Sequence, residues 1–292
     1  SSYIPWKEYY DKAVAEKERQ KYLNSLPFEF LGISMELSDG VKYYTDGRAD
    51  PKTTDFEVTA HFTEKGKDTD TILGGDEFTI EVPETFAEKG GTIKASYTYQ
   101  PEDKKDDKGE TVTPEPITKT ATLDVSLTKV VLSKLELSEK PYRVHYSDSM
   151  TFDPEGIRLN ATYNNGDVIN LEAKDIKVQG DGKLTADAKA VKVSYELGGI
   201  SLDCDVPVTV QSAATFSEGN VIKLETEGEV SLNNGADVST AEPTVRATYD
   251  TGNRLIIGKD KYVVKGNVKN ASFEKNCILT VSCKDNESVS CK

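Results

Sequence analysis

"IRLNATYNNGDVINL" runs from Ile157 to Leu171, and its alternation decides the fold class. Ile157, Leu159, Ala161 and Tyr163 stand two residues apart, the run breaks at Asn164-Asn165-Gly166, and apolar residues then return. In an extended chain alternate side chains share a face, so the segment has one apolar and one polar side. Glycine supplies the positive φ that closes such a turn. The stretch is a β-hairpin with one buried face.

The same unit occurs three times. "VTAHF" (Val58 to Phe62), "LNATY" (Leu159 to Tyr163) and "VRATY" (Val245 to Tyr249) share an apolar–polar–Ala–polar–aromatic order, and each is followed by a turn ending in Gly66, Gly166 or Gly252. Next come "FTIEV" (Phe78 to Val82), "DIKVQG" (Asp175 to Gly180) and "KYVVKG" (Lys261 to Gly266). Then follow "IKASY" (Ile93 to Tyr97), "VKVSY" (Val191 to Tyr195) and "LTVSC" (Leu279 to Cys283). From the central alanine to the last aromatic or cysteine the spacing is 37, 34 and 36 residues. A period of about 80–100 residues is too long for a solenoid repeat and suits an autonomous domain. Short β-branched runs separated by Gly, Asn, Asp and Pro predict antiparallel sandwiches. The expectation is an all-β chain of three tandem β-sandwich domains, 28–129, 130–211 and 212–292, behind one N-terminal α-helix in 1–27.

Lys134 to Leu171, "KLELSEKPYRVHYSDSMTFDPEGIRLNATYNNGDVINL", resembles the group 3 bacterial immunoglobulin-like domain. The resemblance lies in the opening strand Leu135–Leu137, Tyr146, Phe152-Asp153, Gly156 and Ala161-Thr162-Tyr163 with Gly166; "VKVSYELGGISLDCDVPVTV" (Val191 to Val210) gives the closing strand pair. It covers about residues 132–210. The outer copies depart from it: the first has His61-Phe62 in place of Thr-Tyr, and the third lacks the Phe-Asp element. The resemblance implies an Ig-like fold on a bacterial surface or secreted protein, and it brings no catalytic residues. In the third copy "TVSCKDNESVSCK" ends where the second continues into Asp205–Val210. Its final strand is therefore expected to be short, missing or supplied by another segment, from a longer parent chain or a neighbouring subunit.

The net charge of −14 is concentrated in residues 27–129, which carry 12 Lys/Arg against 22 Asp/Glu. Such charge repels phosphate backbones and anionic lipid, so nucleic acid is disfavoured as a partner. No apolar run approaches the ~20 residues that span a bilayer, so no membrane insertion is expected in this segment. Cys204, Cys277, Cys283 and Cys291 lack zinc-ligand spacing. Each is in phase with apolar neighbours, which predicts buried thiols; a disulfide among Cys277, Cys283 and Cys291 is the alternative. Of the two histidines, alternation puts His61 on the polar strand face, while the setting of His145 stays open.

"IPWKEYYDKAVAEKERQKYLNSLP" (Ile4 to Pro27) is the one convincing helix, with Pro5 in its first turn and Pro27 as its stop. It is expected to pack on the first sandwich or to remain from a preceding domain. As a docking element its anchors would be Trp6, Tyr9 and Tyr10. Residues 100–116 form a charged excursion whose Asp103, Asp106, Asp107 and Glu110 alternate with lysines and miss EF-hand spacing. No catalytic residue, cofactor or metal site is expected.

The functional expectation is a non-enzymatic extracellular tandem module, a structural spacer or adhesion scaffold for an unidentified protein or glycan partner. Three sandwiches in line would reach on the order of 100 Å. The alternatives are a bacteriophage virion protein assembled into a larger structure through its helix, and a carbohydrate-binding accessory module. Tyr43-Tyr44, Tyr142 and Tyr146 would serve the latter as stacking rings.

Overall fold

A computed structural model describes residues 6–292. The chain forms two compact units, residues 1–130 and 131–292.

The first unit begins with α1 (Trp6–Ser25) and continues through β1 (Glu29–Leu37), β2 (Phe56–Glu64), β3 (Lys67–Ile72), β4 (Phe78–Glu81) and the short α2 (Phe86–Lys89). It ends with β5 (Gly91–Tyr99), β6 (Lys104–Lys105), β7 (Thr111–Val112) and β8 (Ile117–Val125). The order β1-β2-β3 makes one antiparallel sheet and β4-β5-β8 another. Alternation along β2 buries Phe56, Val58, Ala60 and Phe62, and these share one core with Phe78, Ile93, Ala95 and Val125 of the second sheet. Each fully buried aliphatic side chain stabilises the fold by roughly 1.5–3 kcal/mol relative to exposure.

The second unit repeats this plan twice. Its strands are β9 (Leu132–Glu139), β10 (His145–Ser147), β11 (Arg158–Tyr163), β12 (Val168–Glu172), β13 (Lys177–Val178), β14 (Ala190–Leu197), β15 (Ile200–Pro207) and β16 (Thr209–Gln211). Then come β17 (Val221–Glu227), β18 (Thr244–Tyr249), β19 (Arg254–Ile257), β20 (Tyr262–Gly266), β21 (Leu279–Cys283) and β22 (Ser290–Cys291). Sheets β9-β11-β12 and β13-β14-β15 share one core; sheets β17-β18-β19 and β20-β21-β22 share another. The second core holds Leu159, Ala161, Val193 and Val206; the third holds Val245, Ala247, Val264 and Val281.

The recurrent alanine motif is thus the middle strand of its sheet in every case: β2, β11 and β18. The later motif is the middle strand of the facing sheet: β5, β14 and β21. Ala60, Ala161 and Ala247 are all fully buried, where a methyl group lets the opposing sheet come close. The turns after them have Gly66, Gly166 and Gly252 at φ +75°, +90° and +94°. In the last two, the glycine N–H donates to the tyrosine carbonyl three residues earlier, at 3.0 and 2.9 Å.

The final strand of each core ends differently. In the first unit the chain continues past Val125 until Thr128 bridges Tyr44 in parallel. In the second module β16 pairs in parallel with β10. In the third, β22 pairs with only Val281 and Ser282 of β21.

Expectations for the helix and for Cys277 are corrected. Helix α1 buries no residue, so it does not pack along the first sandwich. Only its end touches it: a Cβ placed on Gly66 would meet Leu23 at 2.8 Å and Leu26 at 3.2 Å. The charged run Glu16-Lys17-Glu18-Arg19-Gln20-Lys21 interrupts any apolar stripe, which leaves no face to bury. Ile4 and Pro5 lie outside the described residues. Cys277 precedes β21 instead of lying within a strand. All four cysteines are free thiols; Cys283 is buried and Cys204, Cys277 and Cys291 half-buried. Because Val281 stands opposite Cys291, Cys283 and Cys291 are diagonal neighbours, a separation that commonly exceeds disulfide reach. Burial raises the thiol pKa of Cys204 and Cys291.

Tyr146 lies at the centre of the second core and is fully buried. Its hydroxyl donates to the Arg143 carbonyl at 2.8 Å and accepts from the Asp153 N–H at 3.1 Å. Burial pushes its pKa up to about 12 from an ordinary 10.0. Between these values the unfolded chain releases a proton that the folded chain keeps. Stability from the neutral phenol, in full below pH 10, should therefore fall as pH rises from 10 through 12, by about 2–3 kcal/mol. Alkaline titration of tyrosine absorbance alongside circular dichroism should show a late phenolate step coincident with loss of structure in residues 131–292. Ionisation of every tyrosine near pH 10 with the fold intact would contradict this.

Candidate functional site, a joint between modules

The densest buried polar arrangement lies inside the second unit, where the second and third sandwiches meet. It is built on the β18–β19 hairpin. Tyr249 N–H donates to the Asn253 carbonyl at 2.8 Å across the turn, which aims the Asn253 side chain toward β10. Asn253 is 0% exposed. Its Oδ1 accepts from the Val144 and His145 N–H groups at 2.9 and 2.8 Å; its Nδ2 donates to the His145 carbonyl at 3.0 Å and to Glu218 Oε2 at 2.8 Å. Two acceptor sites and two donors are all used, the full valence of an amide.

Around it the contacts are also paired. Arg143 Nη1 bonds Glu218 Oε1 at 2.7 Å. His145 is buried: Nδ1 is 2.7 Å from Thr209 Oγ1, Nε2 is 3.1 Å from the Ser217 carbonyl, and the ring stacks on Phe216 at 5.4 Å. A carbonyl only accepts, so Nε2 carries the proton, and in the neutral ring Nδ1 accepts from the Thr209 hydroxyl. Tyr142 is covered by Arg246 at 3.7 Å and lies 5.3 Å from Arg254, both from the third module. The Arg254 N–H donates to the Tyr142 carbonyl at 2.8 Å. The Tyr142 ring needs Gly156 beside it: a Cβ there would stand 2.6 Å from the ring, and φ is +82°. Glu227 pairs with Arg246, which raises the guanidinium pKa and holds the Glu227 carboxyl below the usual carboxylate range.

The connecting residues are stitched down too. Asp148 Oδ1 accepts from the Ala213 N–H at 2.9 Å, and the Asp148 N–H donates to the Gln211 carbonyl at 2.9 Å. Among the described residues no buried side-chain nitrogen or oxygen lacks a partner. Chemically this arrangement does one thing: it holds two sandwiches in one relation.

Sequence reasoning placed none of this. Of the candidate stacking rings Tyr43, Tyr44, Tyr142 and Tyr146, Tyr43 and Tyr146 are buried, Tyr142 is covered by guanidinium groups, and Tyr44 is half-buried. Burial, followed by its hydrogen bond to Asp55, raises the Tyr43 pKa. Asn253, Arg143 and Glu218 carry no motif; Asn253 meets Val144 and His145, and Glu218 meets Arg143, across the two modules. Trp6, Tyr9 and Tyr10 are exposed on α1, Trp6 at 74%, with the Trp6 and Tyr10 rings 6.4 Å apart. In the excursion, Asp106 Oδ1 accepts from the Lys108 and Glu110 N–H groups and so caps its own turn.

One constellation has the form of a catalytic relay. Ser34 Oγ is 2.7 Å from His61 Nε2, and His61 Nδ1 is 2.8 Å from Asp70 Oδ1, across strands β1, β2 and β3. These side chains lie on the solvent face of the sheet, and none lines a described cavity. Acyl transfer draws most of its rate from preorganised donors around the developing oxyanion in a water-excluded site. A relay on a wet, open sheet face has little means of supplying that. No helix among the described residues is long and apolar enough to cross a membrane.

No family model matches the chain, and no curated protein matches it. Among solved structures it aligns with domains 4–9 of the surface layer protein SbsC at 12% identity, over 90% of this chain and 46% of that one, with a TM-score of 0.29. The chain thus spans under half the length of that structure.

Proposed function

We propose that the chain is a non-enzymatic run of immunoglobulin-like modules that serves as a structural spacer or scaffold in a bacterial surface or secreted protein. The observation that carries this reading is the joint. The buried side chains of Asn253 and His145 and the half-buried Arg143 and Glu218 are spent on contacts between two sandwiches. Satisfied buried networks fix a unique geometry and are costly when broken, which suits a part whose task is to keep distance and direction. The group 3 Ig-like cadence around Tyr146, Phe152-Asp153 and Ala161-Thr162-Tyr163 supports the surface assignment.

Two measurements test the reading. Antibodies against the chain should label intact source cells or their culture medium; label confined to the cytoplasm or to phage particles would remove the surface assignment. A fluorophosphonate probe, which reports activated serine nucleophiles, should leave Ser34 unlabelled under conditions that label a serine hydrolase fully. Stoichiometric, His61-dependent labelling of Ser34 would end the non-enzymatic reading.

A further inference from the structure

The middle strand of the facing sheet carries a tyrosine at one core position in two copies and a cysteine in the third. Tyr97 closes "IKASY", Tyr195 closes "VKVSY" and Cys283 closes "LTVSC". All three side chains pack on their cores. In the first unit the Tyr97 ring meets Phe30 edge-on at 5.6 Å. In the second module Tyr195 neighbours Tyr163, whose pKa is raised by burial first and by Tyr195 next. Tyr249 is the third module's counterpart of Tyr163, and beside it Cys283 supplies a thiol in place of a ring. Tyr262, which stands opposite Cys283, does not fill the space. Its hydroxyl is held by the Pro243 carbonyl at 3.1 Å.

A cavity of about 540 Å³ opens beside Cys283. Buried Tyr249, Ile257 and Cys283 form its floor, and exposed Lys261, Asp285 and Asn286 form its rim. The β21–β22 turn that walls it is closed within the chain, since the Cys283 N–H donates to the Val289 carbonyl at 2.9 Å. Tyr249 is only 6% exposed, yet its hydroxyl has no hydrogen-bond partner among the described residues. No fully sealed side-chain oxygen lacks a partner, so this hydroxyl reaches the cavity that its ring lines. An apolar floor under a few convergent polar groups, in about 300–1,000 Å³, is the usual make-up of a small-ligand site. Apolar space left by an absent side chain readily takes up an aryl guest.

We propose that this cavity binds a phenol ring, seated against Ile257 and Cys283 where Tyr195 fills the second module, with its hydroxyl bonded to that of Tyr249. Both halves of the ligand follow from the site. The first two copies place a tyrosine ring at this position, and the unpartnered Tyr249 hydroxyl calls for a polar atom that a bare hydrocarbon ring does not supply. Substituents on the ring would face the Lys261, Asp285 and Asn286 rim. The inference stands apart from the surface-spacer reading, since it rests on comparison of the three cores and on the cavity.

The test titrates the full chain with p-cresol and with toluene, followed by amide chemical shifts. Saturable one-to-one binding of p-cresol is expected, with shifts centred on Ile257, Cys283 and Asn286. Toluene, which lacks the hydroxyl, should bind roughly fivefold more weakly, the worth of one hydrogen bond. Tyr249→Phe keeps the ring and should erase the difference between the two probes. Cys283→Tyr, which restores the ring of the other copies, should weaken p-cresol binding at least tenfold; the Tyr249→Phe comparison decides the matter even where that larger side chain disturbs folding. No binding of p-cresol at millimolar concentration, or shifts centred elsewhere, would overturn the site. Toluene binding as tightly as p-cresol to the native chain would overturn the role of the hydroxyl. A blocked Gly-Tyr-Gly peptide separates the two sources of such a ring, and either result supports the site. Binding at least tenfold tighter than p-cresol would place the ring on a partner polypeptide, and weaker binding would make the ligand a free phenol. None of these outcomes depends on where the protein resides in the cell.

Discussion

Replacing Asn253 with alanine should destabilise residues 131–292 by about 2–4 kcal/mol and free the two sandwiches from each other. The side chain makes four hydrogen bonds in a fully buried position. Its removal leaves the Val144 and His145 N–H groups, the His145 carbonyl and one Glu218 oxygen with fewer partners. Each buried polar group left unsatisfied costs about 1–3 kcal/mol, and water entering the space returns part of it. Native-state hydrogen exchange should show the Val144 and His145 amides losing protection first, while central strands such as β11 and β18 keep theirs. Asn253→Asp gives a sharper version. The side chain keeps its shape but turns its two donors into acceptors that face the His145 carbonyl and the Glu218 carboxylate. Crowding by Glu218 raises the introduced carboxyl's pKa above its unfolded value near 3.9, so the folded chain holds the extra proton more tightly. The deficit should be largest at neutral pH and narrow as the solution is acidified toward that raised pKa. A loss below about 1 kcal/mol with unchanged exchange at Val144 and His145 would show that the joint is held by something else.

What could be read in advance follows from the range of each interaction. The hairpins around Ala60, Ala161 and Ala247 are legible because their determinants are local. Alternation sets the face, a small residue marks the crowded centre, and glycine closes the turn within six residues. The joint is illegible for the opposite reason. Asn253 meets His145 across 108 residues of chain, and neither residue stands in a pattern that distinguishes it from ordinary turn or loop polar residues. Tyr142 reads as an available ring because nothing near it in sequence announces Arg246 and Arg254. His145 shows the limit of periodicity. It lies in a three-residue strand buried on every position, so alternation has no polar face to assign. The helix fails in its tertiary contacts alone: its residues do form a helix, but its faces carry too much charge to seat on a sheet.

The second large effect is expected at Tyr146, where core and joint depend on one ring. Truncation to alanine should cost about 3–5 kcal/mol, the range for emptying an aromatic site that cannot collapse. The ring is fully buried in the centre of the second core, 6.0 Å from the Phe152 ring, so little can move in to replace it. Tyr146→Phe separates packing from hydrogen bonding. It keeps the ring and removes only the hydroxyl that ties the Arg143 carbonyl to the Asp153 N–H, so its cost should be about 1–3 kcal/mol. The two variants should differ in reach as well as size. Arg143 precedes the two amides that Asn253 receives, and its guanidinium bonds Glu218. Loosening its backbone with Tyr146→Phe should therefore raise exchange at Val144 as well as at Asp153. The alanine variant should open the whole second core, raising exchange across β11 and β14. The phenylalanine variant should also lose the alkaline instability between pH 10 and 12, since that phenol no longer ionises. If Tyr146→Phe left exchange at Val144 at the native rate, the second core and the joint would be independent, and the hydroxyl would serve the core alone.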